Sequence, residues 1–105
     1  MNIELDKPFY TKTFYSEKVG NRPPGWYGYE CQFVIRANKK LYLMWTCTNG
    51  ESSMDDYYDN YVGFGDGIRL QFPIKGKHAG EVMDDSTEVL ITKEEYEKML
   101  TREQL

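Results

Sequence analysis

The alternation of apolar and polar residues between Cys31 and Cys47 is the clearest structural signal in the chain. Apolar side chains occupy the odd-numbered positions on both sides of the polar stretch Asn38–Lys40. A period of two residues on each side of a short polar turn is typical of a β-hairpin with one buried face. The pattern therefore predicts two strands whose odd-numbered side chains turn inward together.

The same pattern predicts a register for this hairpin. A shift of one residue would mix polar and apolar side chains on both faces, and burial penalises such mixing. The predicted cross-strand pairs are Cys31–Cys47, Phe33–Trp45, Ile35–Leu43 and Ala37–Leu41. The loop then has three residues, and Asn38 or Lys40 would take any left-handed position in it. The even-numbered face is half apolar, so we expect it to be partly covered or to contact a partner.

Further strands are predicted on both sides of this hairpin. Phe9–Tyr15 mixes threonines with aromatic residues, and Asn2–Leu5 is a shorter candidate strand. Ile68–Phe72 alternates cleanly and follows Asp66-Gly67, a typical two-residue turn. Together with Tyr61–Gly65, this run predicts a second hairpin.

The pattern changes near the C-terminus. The short apolar run Glu88–Ile91 predicts one more strand, and Thr92 follows it directly. Thr92 is a suitable helix N-cap, and Glu95 three residues later completes the capping-box pattern. Apolar residues then recur at the spacing of one helical face, at Tyr96, Met99 and Leu100. The sequence therefore predicts a helix from about Lys93 to Leu100 or slightly beyond.

These elements predict an α+β fold. It is expected to be a small, mainly antiparallel sheet of about five to six strands, half-barrel or sandwich-like, with one short C-terminal helix. Loops are expected at residues 17–28, 49–60 and 75–87. The length of 105 residues fits a single domain spanning residues 1–105.

Composition and charge narrow the classes of function. The 15% of aromatic residues argue against disorder, and the net charge of −4 argues against direct binding of nucleic acid. No apolar run is long enough for a membrane helix, and no secretory segment is evident at the N-terminus. Two cysteines are too few for a disulfide scaffold, so we expect two thiols in a cytoplasmic protein.

Catalytic, cofactor and metal sites find little support in the sequence. His78 is the one histidine and lies in a glycine-flanked loop, while both cysteines are expected to point into the core. The glycines of Gly63–Gly67 lack the strand-to-helix context of a phosphate-binding loop. The acidic residues lack the spacing of a calcium loop. We therefore expect a protein that is not an enzyme and holds neither cofactor nor metal.

The remaining signal is a segment in which acidic and aromatic residues are interleaved. Residues 49–66 contain five acidic residues and no basic one. Clustered carboxylates attract a basic surface, and tyrosines supply large contact area. The prolines and aromatic residues of Arg22–Tyr29 suggest a second, pre-ordered contact loop. The predicted partner-binding residues are Asp55, Asp56, Tyr57, Tyr58 and Asp59, with Trp26 and Tyr27 as secondary anchors.

These observations lead to one main hypothesis and two alternatives. The main hypothesis is a small acidic inhibitor, of the type that phages and mobile elements encode, which occludes a basic protein that handles nucleic acid, such as a nuclease. The first alternative is a module that binds a small molecule or nucleotide. It would stack the ligand on aromatic residues and bind its charge with basic ones, and its candidates are Trp26, Tyr27, Tyr29, Arg22, Lys75 and Lys77. The second alternative is an accessory subunit that forms a homodimer through the half-apolar hairpin face.

Overall fold

A computed structural model describes residues 3–56, 62–64, 68–83 and 88–104, with the side chains of residues 3–55, 70–83 and 88–100. Within these ranges the chain forms seven strands followed by one helix. The strands are β1 (Phe9–Tyr15), β2 (Gly25–Ile35), β3 (Leu41–Cys47), β4 (Ser52–Asp56), β5 (Val62–Phe64), β6 (Ile68–Leu70) and β7 (Val89–Ile91), and the helix is α1 (Lys93–Gln104). The predicted α+β class is confirmed.

Five strands form one antiparallel sheet in the order β4-β3-β2-β1-β7. The four consecutive strands β1 to β4 form a meander, and β7 returns to the outer side of β1. Strands β5 and β6 pair separately as an antiparallel hairpin, as predicted. The turn dipeptide Asp66-Gly67 lies outside the described residues. The five-stranded sheet is open rather than closed into a barrel, so β4 and β7 are its edges.

The predicted hairpin exists, but its register differs from the prediction by two residues. Cys31 lies opposite Trp45, and Phe33 lies opposite Leu43, so the predicted Cys31–Cys47 and Phe33–Trp45 pairs are wrong. A shift of two residues keeps every side chain on its predicted face, because side chains alternate with a period of two. The hydrophobic pattern therefore determined the face and left the register to the turn.

The turn explains the shift. The three-residue loop is Ala37–Lys39, because the Arg36 N–H donates to the Lys40 carbonyl and the Lys39 N–H donates to the Arg36 carbonyl. Lys39 takes the left-handed position with φ of 65°, where Asn38 or Lys40 was expected. This geometry is a tight turn followed by one left-handed residue, a common three-residue hairpin. The Asn38 side chain accepts from the Lys40 N–H at 3.0 Å and supports it.

The odd-numbered face of the sheet is the core, as predicted. Its fully buried side chains include Tyr29, Cys31, Leu43 and Cys47, and Trp45 is 5% exposed. Leu70, the last residue of β6, and Phe72, two residues further on, cover this face together with Ile3. The inward pattern ends near the hairpin tip, where Ile35 is 74% exposed and Ala37 is also exposed.

Helix α1 packs on the even-numbered face, across the middle of β1 and β2. It begins with the predicted cap, in which the Glu95 N–H donates to Thr92 Oγ1 at 3.1 Å. Tyr96 stacks on Tyr10 with ring centroids 5.3 Å apart. Gly28 lies beneath the helix, and a Cβ there would come within 3.1 Å of both Met99 and Tyr96. The helix can approach this closely because the sheet has a glycine at that point.

Three sequence expectations about loops and strands are wrong. Asn2–Leu5 is not a strand over its described residues, since the Ile3 N–H donates instead to the Gly80 carbonyl at 2.7 Å. Strand β2 begins at Gly25, so Trp26 and Tyr27 lie in a strand rather than in a loop. The segment expected as loop 49–60 contains β4, because pairing with β3 satisfies its backbone groups.

Gly80 and Gly76 provide a matched test of this packing. Both have a left-handed backbone, with φ of 84° and 88°, but only at Gly80 would a Cβ overlap the Ile3 carbonyl. We expect Gly76→Ala to cost about 1 kcal/mol of unfolding free energy, and Gly80→Ala about 2–4 kcal/mol because the backbone must also move. Urea denaturation measures both values, and equal losses would contradict the close Ile3–Gly80 contact.

Candidate functional site

The acidic segment that the sequence singled out begins as strand β4, at one edge of the five-stranded sheet. Ser52 and Ser53 are exposed there, and Met54 is half-buried. An edge strand has unpaired backbone N–H and C=O groups on its outer side, where another extended chain can pair. Among the strands that the structure describes, none occupies the outer side of β4.

Asp55 is half-buried and its carboxylate is used within the protein. The Trp45 indole N–H donates to Asp55 Oδ2 at 2.7 Å, and the Ser53 hydroxyl donates to Oδ1 at 3.3 Å. A carboxylate is a strong acceptor, so this bond fixes the orientation of the buried indole. Asp55 therefore links the edge strand to the core.

The other predicted acidic and tyrosine residues continue from this point. Asp56 pairs through its backbone with Tyr42, near the hairpin tip. Its side chain lies outside the described part of the structure, and so do Tyr57, Tyr58 and Asp59 entirely.

Trp26 is 51% exposed and forms a surface pair with Phe14, which is 53% exposed. The two residues are cross-strand partners in β1 and β2, and their ring centroids are 5.3 Å apart. Lys12 Nζ lies 5.1 Å from the Trp26 ring centroid and 2.9 Å from a Glu95 carboxylate oxygen. This exposed pair, Phe14 and Trp26, lies on the helix side of the sheet.

Tyr27, the other predicted anchor, is an interior residue. It is 5% exposed, and its hydroxyl donates to the Pro23 carbonyl at 2.6 Å. Its ring packs on Tyr15 with centroids 5.2 Å apart. Little of its surface is therefore left for a partner.

The structure does not bring Trp26 and Asp55 together. Asp55 lies opposite Leu43, while Trp26 lies three residues before Tyr29, the partner of Cys47. At about 3.3 Å per residue, the two positions are roughly 20 Å apart along the strands. They also lie on opposite faces of the sheet.

Sequence reasoning missed an extensive polar arrangement within the described part of the chain, which surrounds Arg22. The guanidinium is 3% exposed and donates to the Tyr15 hydroxyl at 2.7 Å and to the Tyr29 hydroxyl at 2.5 Å. It also donates to both carboxylate oxygens of Glu51, at 3.4 and 3.2 Å. Four aromatic rings have their centroids 5.5–6.0 Å from its Cζ, those of Tyr15, Tyr27, Tyr29 and Trp45. We call this arrangement the Arg22 cage.

The charges in the Arg22 cage stabilise one another. Burial by itself would lower the pKa of Arg22, but the hydrogen bonds to Glu51 and the neighbouring groups raise it. In return, the hydrogen bond from Arg22 lowers the pKa of Glu51, and Asn49 adds to this effect. Burial raises the pKa of Tyr29, so its phenol stays neutral beside the guanidinium. The cation is therefore permanent, and it occupies the aromatic cage.

One sequence signal could have located Arg22. It closes a tight turn in which the N–H groups of Val19 and Arg22 each donate to the other's carbonyl, at 3.0 and 2.8 Å. Gly20-Asn21 forms the turn, with Gly20 at a φ of 57°. Gly-Asn is a known two-residue hairpin signal. The Gly-Asn signal predicts that Arg22 directly follows a turn, but it does not predict the four aromatic rings around the guanidinium.

The small-molecule alternative loses part of its predicted site. Arg22, Tyr27 and Tyr29 belong to the buried cage, while Lys75 and Lys77 are exposed on a separate loop. A separate groove lies at the hairpin tip, with a volume of about 440 Å³. It is lined by Arg36, Ala37, Asn38, Tyr42 and Met54.

The cysteine and histidine side chains that the sequence offered as possible catalytic groups occupy two different environments. Cys31 and Cys47 are buried free thiols, and burial raises the pKa of both. His78 is exposed, and its Nδ1 lies 2.7 Å from a Glu81 carboxylate oxygen. Over the described residues, no group of three or more metal-ligating side chains occurs. No helix in that part of the chain is long and apolar enough to cross a membrane.

Comparisons with known proteins give no relative for this chain. Neither the protein-family models, nor the curated protein sequences, nor the solved structures include a match. Functional interpretation therefore rests on the geometry described above.

Arg22 is expected to contribute strongly to stability. We predict that Arg22→Met lowers the unfolding free energy by about 2–3 kcal/mol, because two phenols and Glu51 lose a charged donor. Arg36→Met at the exposed hairpin tip serves as the matched control and should change it by less than about 0.5 kcal/mol. Urea denaturation followed by tryptophan fluorescence measures both. Similar losses of unfolding free energy in the two variants would show that the Arg22 cage stabilises the protein no more than an exposed arginine does.

Asp55 can be tested separately as the acceptor for Trp45. We expect Asp55→Ala to cost about 1–2 kcal/mol because the buried indole N–H loses this carboxylate acceptor, whereas Asp55→Asn keeps an oxygen acceptor and costs less. In ¹⁵N-resolved NMR spectra, the indole N–H resonance of Trp45 should move in Asp55→Ala, and that of Trp26 should stay in place. An unchanged Trp45 resonance would contradict the bond.

Proposed function

We propose that this chain is a non-enzymatic binding protein that covers a basic surface on a larger protein and inhibits it by occlusion. The observation that carries the proposal is the position of the acidic run. It starts as the edge strand β4, where backbone groups are open to pairing, and it has no basic residue between positions 49 and 66. A basic extended segment of a partner suits such an edge in both backbone pairing and charge.

The hydrogen bonds within the protein divide the acidic residues into two groups. Glu51 is bound to Arg22, and Asp55 is bound to Trp45, so both have structural partners. We assign the contact with the partner to the acidic and tyrosine residues that follow, in the segment from Asp56 to Asp59. In this proposal the early part of the run holds the strand in place, and the later part meets the partner.

A protein that handles nucleic acid, such as a nuclease, is the class of partner we favour. Such proteins carry basic grooves for phosphates, and a row of carboxylates resembles the charge of a nucleic acid. Small inhibitors of this kind are typical products of phages and mobile elements. The two buried free thiols agree with a reducing compartment, so we place the protein in the cytoplasm.

Self-association is the second candidate, and the even-numbered face of the sheet favours it. Helix α1 covers the middle of this face and leaves the region near the hairpin tip open. Met44 is 39% exposed there, beside the half-buried Val34, Tyr42 and Met54. Apolar side chains that remain open on a sheet face are typical of interfaces. Sedimentation analysis of the wild type and of Met44→Lys distinguishes a homodimer, which the variant should dissociate, from a monomer.

The leading proposal is tested by reversing charges in the segment that we assign to the contact with the partner. We expect the double variant Asp56→Lys/Asp59→Lys to weaken binding of the partner at least tenfold, because it replaces attraction by repulsion. The measurement is calorimetric titration against the purified partner, identified by affinity capture from the native host and mass spectrometry. Wild-type affinity should also fall steeply between 50 and 300 mM salt.

The control variant carries the same charge change on another surface. Asp6 and Glu17 are exposed and distant in sequence from β4, so Asp6→Lys/Glu17→Lys should bind like the wild type. Trp26→Ala separately reports whether the exposed pair with Phe14 also contacts the partner. An acidic partner, or equal weakening by both charge reversals, would refute the proposed contact surface.

A further inference from the structure

Glu88 is the one strongly buried carboxyl group among the described side chains. It is 4% exposed and lies directly before β7. Its two carboxyl oxygens and the Thr11 hydroxyl are fully buried, and none of the three forms a hydrogen bond of ordinary geometry among the described residues, although Thr11 lies close enough to favour the carboxylate. A buried polar group without partners costs free energy, and an ionised one costs far more. This cluster therefore needs an explanation other than stability.

The groups that face Glu88 come from three parts of the core. Strand β1 contributes the Thr11 hydroxyl and the Tyr15 phenol, and β2 contributes the Cys31 thiol, whose pKa the Glu88 charge helps to raise. The positive charge that acts on Glu88 is that of Arg22, which is already bound to Glu51. Thr11 and Arg22 favour the carboxylate, but the burial of both oxygens favours the neutral acid more strongly.

Burial raises the pKa of Glu88 from its ordinary value of 4.5 to about 7, against smaller opposing effects of Thr11 and Arg22. The buried state therefore binds the proton more tightly than a solvent-exposed state does. The stabilisation from this proton is complete below about pH 4.5 and is lost as the pH rises through about 7. Glu88 thus opposes its own burial at and above neutral pH.

Glu88 is connected to the least firmly held part of the sheet. Strand β7 has three residues and lies at the edge of the sheet, where β1 is its one partner among the described strands. The chain continues through Thr92 directly into α1, so β7 and α1 form one unit. Helix α1 is attached to the sheet by the Lys12–Glu95 ion pair, by the packing of Tyr96 and Met99 around Tyr10 and Gly28, and by a hydrogen bond from the Tyr96 hydroxyl to the Thr46 carbonyl.

We propose that Glu88 is a proton-controlled latch, which holds the β7–α1 unit against the sheet as the neutral acid and releases it as the carboxylate. Ionisation moves the carboxyl towards water, and the short strand that follows it must move too. Leu70, Phe72 and Ile3 cover the core face of β2 and β3, and the half-buried Leu90 of β7 packs against the same core, so most of this cover stays in place when the unit is released. The release is therefore local.

Release changes the surface that the protein offers. The outer edge of β1 loses its partner strand, and the apolar surface around Tyr10 and Gly28 loses the helix that covers it. Both surfaces are then continuous with the exposed Phe14–Trp26 pair, which lies on the same face. The latch consequently controls access to one whole end of the sheet, independently of the acidic edge at β4.

Hydrogen exchange of the full chain, read by mass spectrometry and corrected for intrinsic rates, tests the latch. Between pH 5 and pH 8 we expect the protection factors of β7 and α1 to fall by roughly 10²-fold, as the two pKa values imply. The protection of β2 and β3 should change much less. A parallel loss across all strands would mean that Glu88 sets global stability, and it would overturn the latch.

Glu88→Gln cannot ionise and should remove most of this pH dependence, whereas Glu17→Gln, an exposed control, should keep it. If Glu88→Gln fails to fold, Glu88→Leu removes the charge with an apolar side chain of similar size. Thr11→Val is a second, independent variant, and it should move the transition to higher pH because Thr11 favours the carboxylate. Wild-type pH dependence in either Glu88 variant would refute the proposal.

Discussion

Burial of the odd-numbered face of β1, β2 and β3 is the constraint on which the rest of the structure depends. Among the described side chains, the largest ones that are fully buried lie on this face or directly cover it. Because strands alternate with a period of two, this one requirement fixes the orientation of all three strands at once. The meander, the covering segment from β6 and the placement of the helix on the opposite face all follow from it.

The Arg22 cage completes this face at the end away from the hairpin tip. There the sheet presents tyrosines rather than aliphatic side chains, and a guanidinium fills the space between their rings. Its charge is compensated by Glu51, next to the edge strand β4. The cage thus connects the loop before β2, the interior and the acidic edge, so one buried cation organises residues that are far apart in the sequence.

Internal bonding also decides which charged residues remain for function. Glu51 and Asp55 belong to the acidic run, yet one compensates Arg22 and the other orients Trp45. Charge patterning alone cannot separate structural carboxylates from exposed ones. The same holds for the aromatic residues, since adjacent positions in β2 put Trp26 on the surface and Tyr27 in the core. The candidate contact surfaces are therefore smaller than the sequence segments that contain them.

The sequence by itself determined the α+β class, strand β1, the hairpin and its inward face, the β5–β6 pairing and the helix with its Thr92 cap. These features depend on local periodicity and on capping residues, which neighbouring positions encode. Only the tertiary structure decided the hairpin register, the strand nature of β4, the Arg22 cage and the burial of Glu88. A register shift of two residues leaves the hydrophobic pattern unchanged, and the cage and the buried carboxyl are built from residues distant in the chain. The interactions of the Arg22 cage and the burial of Glu88 arise only after the strands have paired.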